Sequence, residues 1–509
     1  MKITYLLREK RRIDMNSFMD NLTEATNFNY TQNGALAHKS TRSYVYDMFA
    51  LGGAYRQRSD EDCILLFKNA ISENANLAIK CLFYLRDCRG GQGERRFFRI
   101  CYKWLCNEYP TIAEKNLAHV SDYGRWDDLL YVTEGTAMFN AAMNIVKYQL
   151  ALDVQCKTPS LLGKWMPSEN ASAKETKILA NKVREYLGFT HRQYRKTLST
   201  LRARINVLER LMSANRWDEI EFDKIPSKAG LVYKNAFARR DIIAKKYETF
   251  AKDKTTKVNA KTLYPYEVVN QAAKAQLDTD RAMVEKYWDN LPDYFNGDQS
   301  SILCVVDTSG SMTWGGGSAR PIDVAVSLGM YAAERSGGPF KDHYISFSSY
   351  PQLVKFEGVD FADKVKRCIR TNLCENTNIH ATFELLKNIA LQPTTKREDI
   401  PKTIVIISDM QIDAMSGDRW SGKNNWTEDS AATEMERIRK DWEAHGLEMP
   451  SLVYWNVNAT NNTILDKGPN VSFVSGCSPV LFEQVIRGVT GYDLMVDKLM
   501  SERYAKVTA

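Results

Sequence analysis

Residues 301–311 read Ser-Ile-Leu-Cys-Val-Val-Asp-Thr-Ser-Gly-Ser. Residues 301–306 are apolar without alternation, as a strand buried on both faces must be. The strand ends in Asp307, with Ser309 and Ser311 close behind. A helix is predicted over about 322–335, a short strand over 344–347, and helices over 361–370 and 379–390. Residues 403–408 (Thr-Ile-Val-Ile-Ile-Ser) form a second wholly apolar run, ended by Asp409. A helix follows over 432–445, strands over 452–457 and 471–474, and a last helix from 479. Strands alternating with helices of ten or more residues imply a parallel sheet covered on both faces. In such sheets ligands bind beyond the carboxyl ends of the strands, where Asp307 and Asp409 both emerge. Two carboxylates and two hydroxyls on neighbouring loops suit a hard cation, which takes oxygen ligands.

The pattern Asp307-Thr308-Ser309-Gly310-Ser311 at the end of a buried strand resembles the metal-ion-dependent adhesion site of von Willebrand factor A domains. The resemblance implies a threonine from a second loop, matched by Thr377 in Glu375-Asn376-Thr377-Asn378-Ile379, and an aspartate from a third, matched by Asp409. The family's usual glycines around that threonine and after that aspartate are missing; Met410 follows Asp409. The expected metal set is therefore Asp307, Ser309, Ser311, Thr377 and Asp409. The expected ion is Mg²⁺, with Mn²⁺ and Ca²⁺ as alternatives. Asp413 is a candidate outer acceptor.

Working back toward the amino terminus, residues 1–285 show little strand alternation. Apolar residues recur at helical spacing over 59–71, 75–86, 96–107, 126–134 and 136–151, separated by short polar loops. Stacked antiparallel helix pairs would bury those stripes, as in solenoids, although no strict repeat period is visible. Two junctions stand out, Arg86-Asp87-Cys88-Arg89-Gly90-Gly91-Gln92-Gly93-Glu94-Arg95 and Tyr123-Gly124-Arg125-Trp126-Asp127-Asp128-Leu129. Their arginines and aspartates are read first as mutual ion pairs. The glycines do not make a phosphate loop, because the Gly-x-x-x-x-Gly-Lys-Ser/Thr pattern is absent.

A helical array followed by this α/β module is the order of Ro autoantigen proteins, the TROVE-module family, and the two junctions resemble that family's. Thr31-Gln32-Asn33-Gly34-Ala35 adds a resemblance to a largely uncharacterised group of phage, bacterial and eukaryotic proteins with the same architecture. The resemblance implies an α + α/β protein: a HEAT-like helical array, possibly a ring, over 1–290, and a doubly wound von Willebrand factor A-like module over 291–509. It also implies small structured or single-stranded RNA as a partner.

The chain has 509 residues with 69 Lys and Arg against 62 Asp and Glu. The excess is concentrated: residues 157–261 hold 24 basic against 11 acidic side chains, an asymmetry that suggests a polyanionic partner. The candidate RNA-contacting residues are Arg192, Arg195, Lys196, Arg202, Arg204, Arg239, Arg240, Lys245 and Lys246. Tyr186, Phe189, Tyr194, Tyr233, Phe237 and Tyr247 lie among them, either as stacking platforms or as helix core.

Ten cysteines without a Cys-x-x-Cys pair and six histidines support neither a disulfide frame nor a zinc site. No apolar run approaches the length of a membrane span, and the apolar run at the amino terminus is too short for a signal-peptide core, so a cytoplasmic protein is expected; a monomer is expected as well. No nucleophile–base pair is evident beside the acidic loops, so no enzymatic activity is expected. Two readings remain open: an RNA-binding scaffold whose cation site receives a partner's acidic group, or a protein-interaction or phage assembly factor that uses that site without RNA.

Overall fold

The computed structural model describes residues 19, 22–23, 26–314, 319–347, 350–371, 378–413 and 433–509. The carboxyl-terminal part is a six-stranded sheet in the order β5-β4-β3-β6-β7-β8. Its strands are β3 (Ile302–Asp307), β4 (His343–Phe347), β5 (Leu353–Lys355), β6 (Thr403–Ser408), β7 (Ser451–Asn456) and β8 (Val471–Ser475). The two apolar runs picked out in the sequence, β3 and β6, are the central pair and lie side by side in parallel. Each is buried along nearly its whole length. β4, β7 and β8 extend the parallel sheet. The wholly parallel expectation needs one correction: β5 pairs antiparallel with β4 at the edge. Three residues of exposed–intermediate–exposed burial give too short a pattern to read as a strand.

The sequence-predicted helices of this module are found at Pro321–Arg335, Phe361–Thr371, Ile379–Ala390 and Glu434–Ala444. Thr433 and Glu436 cap the last of these reciprocally, each bonding the other's backbone N–H.

The preceding part is helical, with Asp60–Glu73, Ala75–Arg86, Arg95–Glu108, Trp126–Thr133 and Phe139–Gln155 matching the apolar stripes, and with a further helix, Tyr44–Leu51, that no stripe marked. Over 174–261 the helical expectation holds only in pieces: Lys174–Tyr186, His191–Arg204, Leu208–Ser213, Ser227–Arg239 and Asp241–Lys252. Gly188 and Asn206, both at positive φ, turn the chain between the first three. A second correction concerns residues 28–38, read as non-strand. They form an antiparallel hairpin of β1 (Phe28–Tyr30) and β2 (Leu36–His38).

The helical part meets the sheet module along two seams. On one, helix Tyr44–Leu51 lies against edge strand β8: the Phe473 N–H donates to the Tyr46 hydroxyl at 2.8 Å, and the Gly53 N–H donates to Ser475 Oγ at 3.0 Å. A Cβ at Gly53 would stand 2.7 Å from the Ser475 carbonyl oxygen, so only glycine permits that approach. Beside it, Arg503 and the Tyr504 hydroxyl close on Asp87, and Lys80 donates to the Tyr504 carbonyl. On the other seam, helices Pro265–Lys274 and Asp278–Asp289 pack on Pro321–Arg335 and Phe361–Thr371. There Arg281 forks onto Asp360 at 2.6 and 2.8 Å, and Trp288 stacks on Phe361 with centroids 4.4 Å apart.

Candidate functional site

The parallel register sets Val306 opposite Ile407, so the two central strands release their chains side by side at one sheet edge. Ser408 Oγ donates to Asp307 Oδ2 at 2.6 Å, and the Ser309 N–H donates to Asp307 Oδ1 at 2.9 Å. Ser309 Oγ and Ser311 Oγ lie 3.1 Å apart. The Gln411 N–H donates to Asp409 Oδ1 at 3.2 Å, and Ser311 also bonds that carboxylate. Asp307, Ser309 and Asp409 are all buried. Thr377 lies outside the described residues. Asn378 caps helix Ile379–Ala390 through a 2.9 Å bond from the Ala381 N–H, so the segment containing Thr377 does lead into a helix.

The electrostatics of this corner are those of two acids with no cation. Among the described residues, no Lys, Arg or His forms an ion pair with Asp307 or Asp409. Burial pushes the Asp307 carboxyl up against the bonds from Ser408 and Ser309, and the Asp413 carboxylate adds to the rise. Burial and then the neighbouring Asp307 raise Asp409 to about 7. Buried like charges cannot both stay ionised without a counter-ion. The donors are oxygens throughout, the set a hard divalent cation takes, so the residues present fit such an ion. Among the described residues no group of three or more His, Cys, Asp or Glu is placed to hold a metal; this corner has two carboxylates, with hydroxyls for the rest.

Several contributors went unread in the sequence. Ser408 ends an apolar strand, where a serine looks incidental, yet it orients Asp307. Gln411 bonds both the Asp409 carbonyl and Asn461 through Nε2. The hairpin turn at Thr31–Gly34 docks on the same loop, with Gly34 bridging to Asp413.

The candidate RNA residues separate into two groups. Arg202 is spent on structure, donating to the Gly163 and Met166 carbonyls at 2.9 Å and to Ser168 Oγ at 3.0 Å. Arg204 donates to the Val154 carbonyl at 2.6 Å, and Lys246 to that of Ile220 at 2.8 Å. Arg240 lies over the Trp217 ring, 4.9 Å from its centre. Arg195 is exposed, 3.9 Å from the Glu169 carboxylate. Arg192, Lys196, Arg239 and Lys245 are exposed and form no ion pair among the described residues. Of the interleaved aromatics, Tyr194, Phe237 and Tyr247 are core, so stacking on them is ruled out. Beside this region a cleft of about 740 Å³ is lined by Arg125, Lys164, Trp165, Glu169, Arg195 and Arg210, with the Arg125 guanidinium 3.8 Å from the Trp165 ring centre.

The expected mutual pairing of the junction arginines and aspartates holds for Arg86, Arg125, Asp127 and Asp128, whereas Asp87 is held by Arg503 and Arg89 donates to the Asp122 carbonyl. Asp128 is enclosed by Arg86 and Arg99, and Asp127 is held by Arg99 and Arg125. All nine described cysteines are free, and only Cys156 is exposed. Among the described residues no helix is long and apolar enough to cross a membrane.

Comparison with known proteins follows the same two-part division. The model of a domain of unknown function, DUF2828, matches residues 31–135 and 160–296, and that of another, DUF7788, matches residues 301–500. Over 481 residues the chain is 31% identical to an uncharacterized protein of Acanthamoeba polyphaga mimivirus, a match that covers 86% of this chain and 80% of that protein. The chain belongs to this DUF2828–DUF7788 family. The structure of the DUF2828–DUF7788 chain is also similar to the crystal structure of the Ro (RSR) protein of Deinococcus radiodurans, at 13% identity and a TM-score of 0.47, over 91% of this chain and 98% of that one.

Proposed function

We propose that this protein is a binding scaffold, not an enzyme. Its sheet module holds one divalent cation, Mg²⁺ first, through Asp307, Ser309, Ser311 and Asp409, with Thr377 as the second-loop ligand. Its helical part binds RNA on an exposed basic face. The cation would leave a coordination position for an acidic group of a partner protein. The observation that carries the cation site is the pair of buried carboxylates, Asp307 and Asp409, at one sheet edge with no ion pair among the described residues. RNA binding is favoured by the basic excess over 157–261 and by the four exposed residues Arg192, Lys196, Arg239 and Lys245. The two seams hold both ends of the helical array against the sheet module, as a closed HEAT-like ring would require.

Asp307→Asn tests the cation site. Wild-type protein should melt higher with Mg²⁺ than with a chelator, and the variant should not; an equal rise in both removes the assignment. RNA is tested by purifying the protein without nuclease and sequencing what high salt releases. A second reading, a protein-interaction or assembly factor without RNA, is favoured by the engagement of Arg202, Arg204 and Lys246 with backbone carbonyls. It predicts a nucleic-acid-free protein and a partner captured only with Mg²⁺.

A further inference from the structure

Met410, directly after Asp409, has φ +62°, a left-handed conformation that costs a non-glycine residue free energy and persists only where its surroundings impose it. Its side chain is buried, and its N–H donates to Ser408 Oγ at 2.9 Å. What imposes this geometry on the next residues comes from the far end of the chain. Thr31 Oγ1 donates to the Ile412 carbonyl at 2.6 Å, Asn33 Nδ2 to the Gln411 carbonyl at 2.6 Å, and the Gln32 N–H to Gln411 Oε1 at 2.7 Å. Gly34 and Asp413 form an antiparallel bridge. The turn between β1 and β2 therefore holds residues 411–413 through their backbone atoms and through the Gln411 side chain.

The hairpin itself is only two strands of three residues, too small to be stable alone. It is anchored at a second point: the His38 and Ile464 backbones bond reciprocally at 2.8 and 3.0 Å, and Asn29 Nδ2 donates to the Asn462 carbonyl at 3.2 Å. Gln411 joins the two anchor points, bonding Asn461 on one side and the Asp409 carbonyl on the other.

We propose that the Thr31–Gly34 turn is a latch that holds the Asp409 loop in the form competent to bind a divalent cation, so that docking of the hairpin and filling of the site favour each other. This rests on the cation site proposed above. Thr31 and Asn33 are positioning residues that act through residues 409–413. The coupling must run both ways: whatever lifts the hairpin weakens cation binding, and the cation tightens the hairpin.

The test uses the full chain with Mn²⁺ as the probe, its free concentration read by electron paramagnetic resonance. Wild-type protein should bind Mn²⁺ saturably, and Asp307→Asn should not. Thr31→Val combined with Asn33→Ala should weaken binding by about tenfold or more, the usual effect of losing outer partners of a metal site. Adding Met410→Gly to that pair should recover affinity, because glycine takes the positive φ without help; loss of a merely structural bond would not be rescued this way. Mn²⁺ should also slow amide exchange at residues 31–35 in wild type but not in Asp307→Asn. If the double variant does not fold by circular dichroism, Asn33→Ala alone carries the test. Wild-type affinity in the latch variant overturns the latch and leaves the cation site standing. No saturable binding by wild type overturns both.

Discussion

Arg86 donates from Nε and Nη2 to the same oxygen of Asp128, at 2.9 and 2.7 Å, with both side chains buried between two helix junctions. The other oxygen accepts from Arg99 at 2.7 Å. Burial works against the charged carboxylate, but Arg86 and then Arg99 outweigh it and hold Asp128 below the usual carboxylate range. Asp128→Ala should therefore destabilise the helical part by about 3–5 kcal/mol, because it leaves a buried guanidinium without its partner. Urea midpoints followed by circular dichroism check this. Since the folded-state pKa is depressed, the contribution is complete above the unfolded value near pH 4 and fades only as pH falls through the lower folded value.

The Asp409 carboxyl is shifted the other way, up to about 7. Between its unfolded value near 4 and about 7, the folded metal-free protein holds a proton that the unfolded chain has lost. Metal-free stability should fall as pH rises across that window. A cation displaces the proton, so the rise in melting temperature with Mg²⁺ should be small at pH 5 and larger at pH 8. Melts at both pH values, with Mg²⁺ and with chelator, give the four numbers needed. A Mg²⁺ effect that shrinks as pH rises contradicts the assignment.

Charge reversal should separate binding from folding on the basic face. Replacing Arg192, Lys196, Arg239 and Lys245 with Glu should weaken RNA binding by roughly tenfold or more at moderate salt and flatten its salt dependence, with little change in stability. Arg202→Glu should instead lower stability, because it places a carboxylate against the Gly163 and Met166 carbonyls. Filter binding at two salt concentrations, alongside melts, distinguishes the two.

Trp288 fills the seam between helix Asp278–Asp289 and helix Phe361–Thr371, is buried, and donates from its indole to Glu334 at 2.5 Å. Trp288→Ala should cost about 3–5 kcal/mol, the range for emptying a large buried aromatic site. Because the seam joins the two parts, limited proteolysis should then release the sheet module before either part unfolds. Uniform digestion would mean that the parts do not separate.

The α/β alternation was legible because strands buried on both faces declare themselves as apolar runs such as 302–306 and 403–407. Asp307 and Asp409 were legible as acids placed where such strands end. β5 and the 28–38 hairpin were not, since three-residue strands are too short for any period to register. Ser408 and Gln411 act through partners distant in sequence, which no local pattern marks. Arg202 and Arg192 look alike as letters in one basic helix; only the positions of the Gly163, Met166 and Ser168 oxygens distinguish a structural guanidinium from an exposed one. Thr377 lies outside the described residues, so its part in the site rests on the family resemblance alone.

The hairpin turn at residues 31–34 and the loop at 411–413 that it grips are some 380 residues apart in the chain. At synthesis rates of roughly 5–20 residues per second, the turn waits on the order of 20–80 s on the ribosome before its partner emerges. Helix Tyr44–Leu51, which needs Phe473 and Ser475, waits longer. Nascent chains of this protein must therefore carry the turn undocked through most of translation, and helix Tyr44–Leu51, although it packs on helices Asp60–Glu73 and Ala75–Arg86, keeps its β8-facing side uncovered for as long. Closure of these two long-range contacts is therefore a late step in folding.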